Sequence, residues 1–250
     1  MNKLLIIDGL NLVRRFHAAL PSDDDMDTLA NQCLGALSKM RKHHQPTHII
    51  LVWDGDKESW RKKLYPDYKK GRKPMPEPLA KGLTQLKARF NEQGLQSFDA
   101  ESEADDVIAT LAVKVAEKGQ VIIASTDKGF SQLPQHNLIL WDHFKQAPFD
   151  ITAYEQKLGV QQNQFLDFLA LAGDSGNKIP GIAGIGPKSA ADLLNKFRNL
   201  ANLYRLLDKL GAKQAQKLAD GKEMARLSYK LAQLQSNMPL NINLKQFRVK

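Results

Sequence analysis

Cysteine is nearly missing from this chain: 250 residues carry one, Cys33. A single thiol cannot close an internal disulfide and supplies no zinc cluster. Cys33 falls in an expected helix and reads as a small buried hydrophobe. Long apolar runs are missing too. No stretch approaches the ~18 apolar residues of a membrane span. The N-terminal run Leu4-Leu-Ile-Ile7 meets Asp8 too soon for a secretory signal. The expectation is a soluble, cytoplasmic, monomeric protein without a membrane partner. Acid is also in deficit, 27 Asp and Glu against 36 Lys and Arg, for a net charge of +9. That excess favours a polyanionic partner. The hydrophobic content of 42% suits a globular chain with a sizeable core.

The acids that are present concentrate. Glu101, Glu103, Asp105 and Asp106 lie within six residues, ahead of Val107, Ile108, Leu111, Ala112 and Val115 at helical spacing. Acidic residues suit a helix start, where the macrodipole is positive. Clustered carboxylates also suit Mg²⁺, which takes oxygen ligands, waters and substrate phosphates. Other acids decide between these readings. Leu4-Leu-Ile-Ile-Asp8, Thr47-His-Ile-Ile-Leu-Val-Trp53 before Asp54, and Val121-Ile-Ile-Ala-Ser-Thr-Asp127 are apolar runs closed by acid. Each reads as a buried parallel strand, and ligand sites in such sheets lie beyond the strands' carboxyl ends. Asp8, Asp54, Asp127 and the Glu103 cluster therefore gather at one sheet edge, where their mutual repulsion calls for a cation.

Two further stretches suit nucleic acid. Residues 61–73 hold seven basic side chains and one acid, interleaved with Tyr65 and Tyr68 and broken by Pro66 and Gly71. Charges of this kind meet phosphates while rings stack on bases. The alternative is a solvated loop with the tyrosines packed beneath it. From about residue 160 the chain reads as helical, after a linking helix near 151–158. Within it, Gly184-Ile185-Gly186-Pro187-Lys188-Ser189 is a turn entering a helix, with Pro187 in the first turn. Its glycines let backbone N–H groups approach phosphate. The carbonyls of Leu171, Ala172, Pro180, Ile182 and Ile185 can ligate a monovalent ion. Lys196, Arg198, Lys213, Lys217 and Lys222 form a basic face or an ordinary solvated surface.

At this point the chain resembles the bacterial and phage 5′-nuclease family, the flap endonucleases and the 5′-nuclease domains of DNA polymerases. The shared motifs, in family order, are Asp8-Gly-Leu-Asn11, Tyr68-Lys-Lys-Gly-Arg72, Glu103-Ala-Asp-Asp106, Ser125-Thr-Asp-Lys128, the Gly184–Ser189 turn and the helical stretch 223–232. The resemblance implies an α/β fold: a PIN-like (resolvase-like) parallel-sheet nuclease domain over 1–159. It implies an all-helical DNA-binding domain of helix-three-turn-helix type over 160–250. It implies Mg²⁺ (Mn²⁺ able to substitute) at Asp8, Asp54, Glu103, Asp105 and Asp106, and K⁺ on the turn carbonyls. Arg15, Tyr68, Lys69 and Arg72 would position the scissile phosphate and its neighbouring base. The substrate would be DNA with a 5′ flap or a duplex–single-strand junction.

The chain departs from the family at the second metal site. Asp127 and Asp174 are kept, but Gly129 and Asn177 stand where acids are usual. Two rival readings follow: a structure-specific DNA-binding protein with feeble catalysis, and a PIN-type ribonuclease, against which the DNA-gripping turn argues.

Overall fold

The computed structural model describes residues 2–134 and 136–249. In chain order its elements are β1 (Lys3–Asp8), α1 (Gly9–His17), α2 (Met26–His44), β2 (His48–Trp53), α3 (Trp60–Leu64), α4 (Glu77–Glu92) and β3 (Ser97–Asp99). Then come α5 (Ala104–Ala116), β4 (Gln120–Ala124), β5 (Leu138–Asp142), β6 (Ala147–Pro148) and α6 (Ile151–Leu158). The remaining helices are α7 (Phe165–Ala172), α8 (Pro187–Phe197), α9 (Leu200–Arg205), α10 (Ala212–Asp220) and α11 (Lys222–Ala232). They form two compact units. One comprises residues 1–57, 73–149 and 234–250; the other comprises 58–72 and 150–233. Residues 61–72 of the basic stretch, the basic arm, are thus part of the helical unit, and the C-terminal segment 234–250 is part of the sheet unit.

In the first unit the strand order is β3-β2-β1-β4-β5-β6, parallel except for β6. The apolar runs are continuous because both faces are covered, and the side chains alternate between them. Leu4, Ile6, Ile50, Val52, Val121 and Ile123 share one core with the apolar face of α5. Leu5, Ile7, Ile49, Leu51, Trp53 and Ile122 face the other way, into residues of α1, α2 and α4. From β1 the chain proceeds to β2 on one side and later to β4 on the other. The sheet therefore changes direction between β1 and β4, where such folds open a crevice.

The third strand is shorter than the sequence reading. Residues 125–127 leave the sheet after Ala124, and Asp127 caps a 3₁₀ turn, its side chain accepting from the Gly129 N–H. Small polar Ser-Thr-Asp side chains compete for local backbone donors, which ends the strand. β3 and α4 carry no sharp signal of their own: β3 has three residues, and α4 starts in the proline-rich stretch, with Pro78 in its first turn.

In the second unit α7 packs against α8 and α11. Its core includes Phe165, Phe168, Leu171, Ile182, Ile185, Leu194 and Leu218. Among the described residues no helix is long and apolar enough to cross a membrane.

Candidate metal centre and nucleic-acid interface

Asp8 ends β1 and caps α1. Its Oδ1 accepts the Asn11 N–H at 3.1 Å and its Oδ2 accepts the Ser125 hydroxyl at 2.8 Å. It is 6% exposed. Burial pushes its carboxyl up to about 7 from an ordinary 3.8, against the pull of those hydrogen bonds, and the charges of Asp54 and Asp127 push it further. Asp8 thus feels the charges of two further acids at the sheet edge. Gly9 follows Asp8 because a Cβ there would lie 2.5 Å from the Trp53 ring.

Asp54 follows β2 directly. Its Oδ1 accepts the Ala104 N–H at 2.7 Å, at the positive end of α5. Its loop is held by backbone bonds from Gly55 to Ser102 at 2.6 Å and from Lys57 to Glu101 at 3.0 Å. A Cβ on Gly55 would stand 1.9 Å from the Ala100 carbonyl oxygen, so this approach requires glycine. On α5, Glu103 is the N-cap residue, and Asp105 and Asp106 occupy the first turn. Asp105 is partly exposed. Asp106 is 2% exposed and accepts the Gln235 N–H at 2.9 Å. It therefore also pins the C-terminal segment to α5, aided by the Thr110 hydroxyl, which donates to the Gln235 carbonyl.

Among the described residues no three acidic, histidine or cysteine side chains converge closely enough to make a ready metal cage. The edge offers oxygen donors alone, partly open, and crowded with like charge. That donor set fits a hard divalent cation that keeps waters and takes substrate oxygens to complete its shell.

Two supporting residues escape a reading of acids alone. Ser125 donates to the Asp8 carboxylate and accepts the Asp127 backbone N–H at 3.0 Å, which ties the loop carrying Asp127 to Asp8. Asn11 Oδ1 accepts both the N–H and the hydroxyl of Thr126, at 2.9 and 3.0 Å. Their signal was adjacency to Asp8 and Asp127. Gln235 had no such signal, being 129 positions from Asp106.

In the helical unit, Asp174 lies in a tight loop closed by reciprocal backbone bonds with Ile179, both 2.9 Å. Its carboxylate accepts the Gly176 N–H at 2.9 Å and the Asn177 side-chain amide at 2.7 Å. Gly173 and Gly181 both have positive φ, +75° and +64°. A Cβ on Gly181 would sit 2.4 Å from the Gly173 nitrogen and 2.8 Å from the Leu171 oxygen. Residues 171–173 and 179–182 thus run in close backbone contact. The Leu171 and Ile182 carbonyls accept from Ile182 and Ile185, respectively. Ala172 and Pro180 are half-buried.

The turn before α8 is exposed at Gly184, Gly186, Pro187 and Lys188, while Ile185 is buried as its anchor. Gly186 caps α8 with no side-chain bond, so no cap side chain takes up the first-turn N–H groups. Ser189 is half-buried in that turn. Lys217 Nζ donates to the Gly184 carbonyl at 3.2 Å.

The arm residues divide. Tyr68 is 7% exposed and packs with Ile179 and Leu231, so its ring lies beneath the basic loop. Lys69 has φ +56°, donates its N–H to the Asn177 carbonyl at 2.9 Å and holds Nζ 5.1 Å from the Tyr68 ring centre. Arg72 is exposed. Arg61 is buried and donates to the carbonyls of Leu231 and Gln233 at 2.9 and 2.7 Å. In the sheet unit, Arg15 is exposed, with its guanidinium 5.0 Å from the Phe144 ring centre.

The chain is 69% identical to the flap endonuclease Xni of Shewanella frigidimarina (strain NCIMB 400), over 100% of this chain and 98% of that protein. Its fold matches a zinc-bound T5 5′-exonuclease with a TM-score of 0.80 at 22% identity, covering 94% of this chain and 90% of the other. A bacteriophage T5 flap endonuclease in a pseudo-enzyme-product complex with DNA and metal ions matches with a TM-score of 0.76 at 23% identity, covering 94% and 90%. At those identities the structures speak for the fold: a resolvase-like α/β domain joined to a helical one. Residues 3–159 match the model of the 5′-3′ exonuclease N-terminal resolvase-like domain, and residues 160–250 that of the 5′-3′ exonuclease C-terminal SAM fold. The chain belongs to the 5′-3′ exonuclease family.

Proposed function

We propose that the chain is a structure-specific nuclease that uses a divalent metal to hydrolyse DNA phosphodiester bonds at 5′-flap junctions. The observation that carries this reading is the sheet edge: buried Asp8 ends β1, Asp54 follows β2 and accepts the Ala104 N–H at the start of α5, and Asp105 and Asp106 lie in the first turn of that helix. Family membership and the name of the 69%-identical relative support the substrate.

Asp8, Asp54, Glu103, Asp105 and Asp106 would hold Mg²⁺, with Mn²⁺ as a substitute. Such an ion supplies a Lewis acid and an activated water. Ser125 and Asn11 keep Asp8 and the 125–127 loop in place. Asp127 and Asp174 would be ligands of a second, more weakly held ion. The backbone N–H groups of Gly186, Lys188 and Ser189 would take duplex phosphates without reading sequence. The close backbone approach of residues 171–173 and 179–182 supports a K⁺ site on the carbonyls of Leu171, Ala172, Pro180, Ile182 and Ile185. Arg15, Lys69 and Arg72 are proposed DNA contacts, with Tyr68 acting from beneath the loop as the ring that Lys69 rests against. A cytoplasmic monomer with a module boundary at 159/160 completes the reading.

The decisive experiment is cleavage of a labelled 5′-flap substrate in Mg²⁺. Wild type should cut and Asp105→Ala should not. Equal cutting by both, or none by either at any Mg²⁺ concentration, ends the proposal.

One observation favours a second reading, flap binding with feeble catalysis. Asn177 and Gly129 answer Asp174 and Asp127 with hydrogen-bond donors at 2.7 Å each. A large rate gain on restoring both acids (Gly129→Asp with Asn177→Asp) would show that metal occupancy limits the enzyme. Junction binding in chelator with no turnover in either form would support the second reading.

A further inference from the structure

Among the described residues the well-exposed large apolar side chains are Leu64, Ile139, Phe144 and Met224, and Phe144 is the aromatic one, at 47%. It stands on the turn after β5. That strand is parallel to β4, with Trp141 opposite Ala124. Residues 143–146 therefore leave the sheet at the same carboxyl edge as Asp127. The turn is tied down: the Asp142 carboxylate accepts the N–H groups of Phe144 and Lys145, at 3.0 and 2.9 Å. Just before Phe144, His143 is 1% exposed and anchors the turn in the interior.

Two residues of α1 back the ring. Phe16 lies 5.8 Å from it, centre to centre, tilted by 52°. Arg15 holds its guanidinium 5.0 Å from the ring centre. Arg15 is seven residues after Asp8, about 10 Å along a helix. Around the ring, Arg15, Lys145 and Gln146 are all exposed. A lone fixed aromatic ring set among cations and amides is a poor docking site for an apolar protein surface. It suits single-stranded nucleic acid, where a base stacks on a ring and its phosphates meet the cations.

We propose that Phe144, backed by Arg15 and Phe16, is a stacking platform for an unpaired nucleobase of the single-stranded part of the DNA substrate. This rests on the proposed function. It gives Arg15 a role through the ring as well as through phosphate. It also places an aromatic contact on the sheet unit, at a position that no basic-aromatic run in the sequence marks.

The test is equilibrium binding by fluorescence anisotropy in chelator, where nothing is cut. Three DNAs are compared: a 5′-flap substrate, the same nicked duplex without a flap, and the flap made of abasic nucleotides. The proteins are wild type, Phe144→Ala, Phe144→Leu, Phe144→Trp and, as a surface control, Ile139→Ala. Phe144→Ala and Phe144→Leu should weaken flap binding roughly fivefold to a hundredfold. Both should bind the nicked duplex like wild type, Phe144→Trp should restore flap binding, and the abasic flap should erase the differences. Phe144→Leu keeps the bulk without the π-face, so it reads the platform even where Phe144→Ala fails to fold. Flap affinity unchanged in Phe144→Leu, equal loss on the nicked duplex, or wild type indifferent to abasic flaps would overturn the platform. Wild type that shows the base dependence yet never cuts in Mg²⁺ would remove the proposed activity alone. Wild type that cuts while Phe144→Leu binds flaps normally would remove the platform alone.

Discussion

Asp8 and Asp174 each adjoin a glycine at the end of a regular element, yet their carboxylates meet opposite company. Asp8 is buried between hydrogen-bond donors and two further acids, and its carboxyl is pushed up to about 7. Asp174 is half-exposed and receives the Gly176 N–H and the Asn177 amide. One neighbourhood leaves negative charge in excess; the other satisfies it with neutral donors. Both carboxylates accept two neutral donors; what sets Asp8 apart is burial and the charge of two further acids, which a cation would balance.

The sharpest way to break this contrast is Asp8→Asn. It keeps the shape and removes the charge, so flap cleavage in Mg²⁺ should fall by at least about a hundredfold, the upper range for losing a residue that only supports a ligand. Asp174→Asn, measured alongside, should cost far less. Equal losses would mean that the two acids serve the ion alike.

Next in size is Gly55→Ala. Its Cβ would meet the Ala100 carbonyl oxygen at 1.9 Å, between backbones that have no free rotor to swing away. Urea titration should show a loss of about 3 kcal/mol. Gly186→Ala, which meets nothing within 4 Å, should leave stability nearly unchanged and weaken duplex binding instead. A harmless Gly55→Ala would mean that the loop carrying Asp54 is not clamped.

Two buried histidines show burial, aided by neighbouring cations, working against a positive charge. Burial pushes His44 and His143 down to about 4 from an ordinary 6.5. The unfolded chain binds protons below 6.5, while the folded one refuses them until about 4. Stability is therefore lost as pH falls through that window, at up to about 1.4 kcal/mol per pH unit for each histidine. Urea midpoints at pH 7 and pH 5 should differ accordingly, and a His44→Leu/His143→Leu double variant should flatten the slope. An unchanged slope would assign the loss to other groups.

The smallest effect belongs to Asn177→Asp. It replaces an amide donor 2.7 Å from Asp174 with a second carboxylate. In chelator the melting temperature should drop, by the equivalent of about 1 kcal/mol. Mn²⁺ should return the loss in the variant and leave wild type little changed. Without that rescue, the loop holds no ion even with both acids present.

Much of the site was legible along the chain. Apolar runs ending in acid marked β1 and β2, and the parallel sheet placed Asp8 and Asp54 at one edge. Gly-Pro marked the start of α8. The third strand was read too long, because Ser125 and Thr126 continue the extended pattern yet spend their side chains on Asp8 and Asn11. Tyr68 looked like a base-stacking residue by composition, while the structure sets it against Ile179 and Leu231. Phe144 was passed over, because a single phenylalanine in a turn has no periodicity to announce it.

The sequence by itself determined which residues could sit at strand ends and helix starts. Backbone preferences and the alternation of apolar side chains act over a handful of neighbours. Only the tertiary structure decided which of those ends meet. The Gln235 N–H on Asp106, the Arg15 guanidinium over Phe144 and the charges felt by Asp8 all join segments far apart in the chain. Such meetings follow from strand order and from the cores on either face of the sheet, and a local stretch encodes neither.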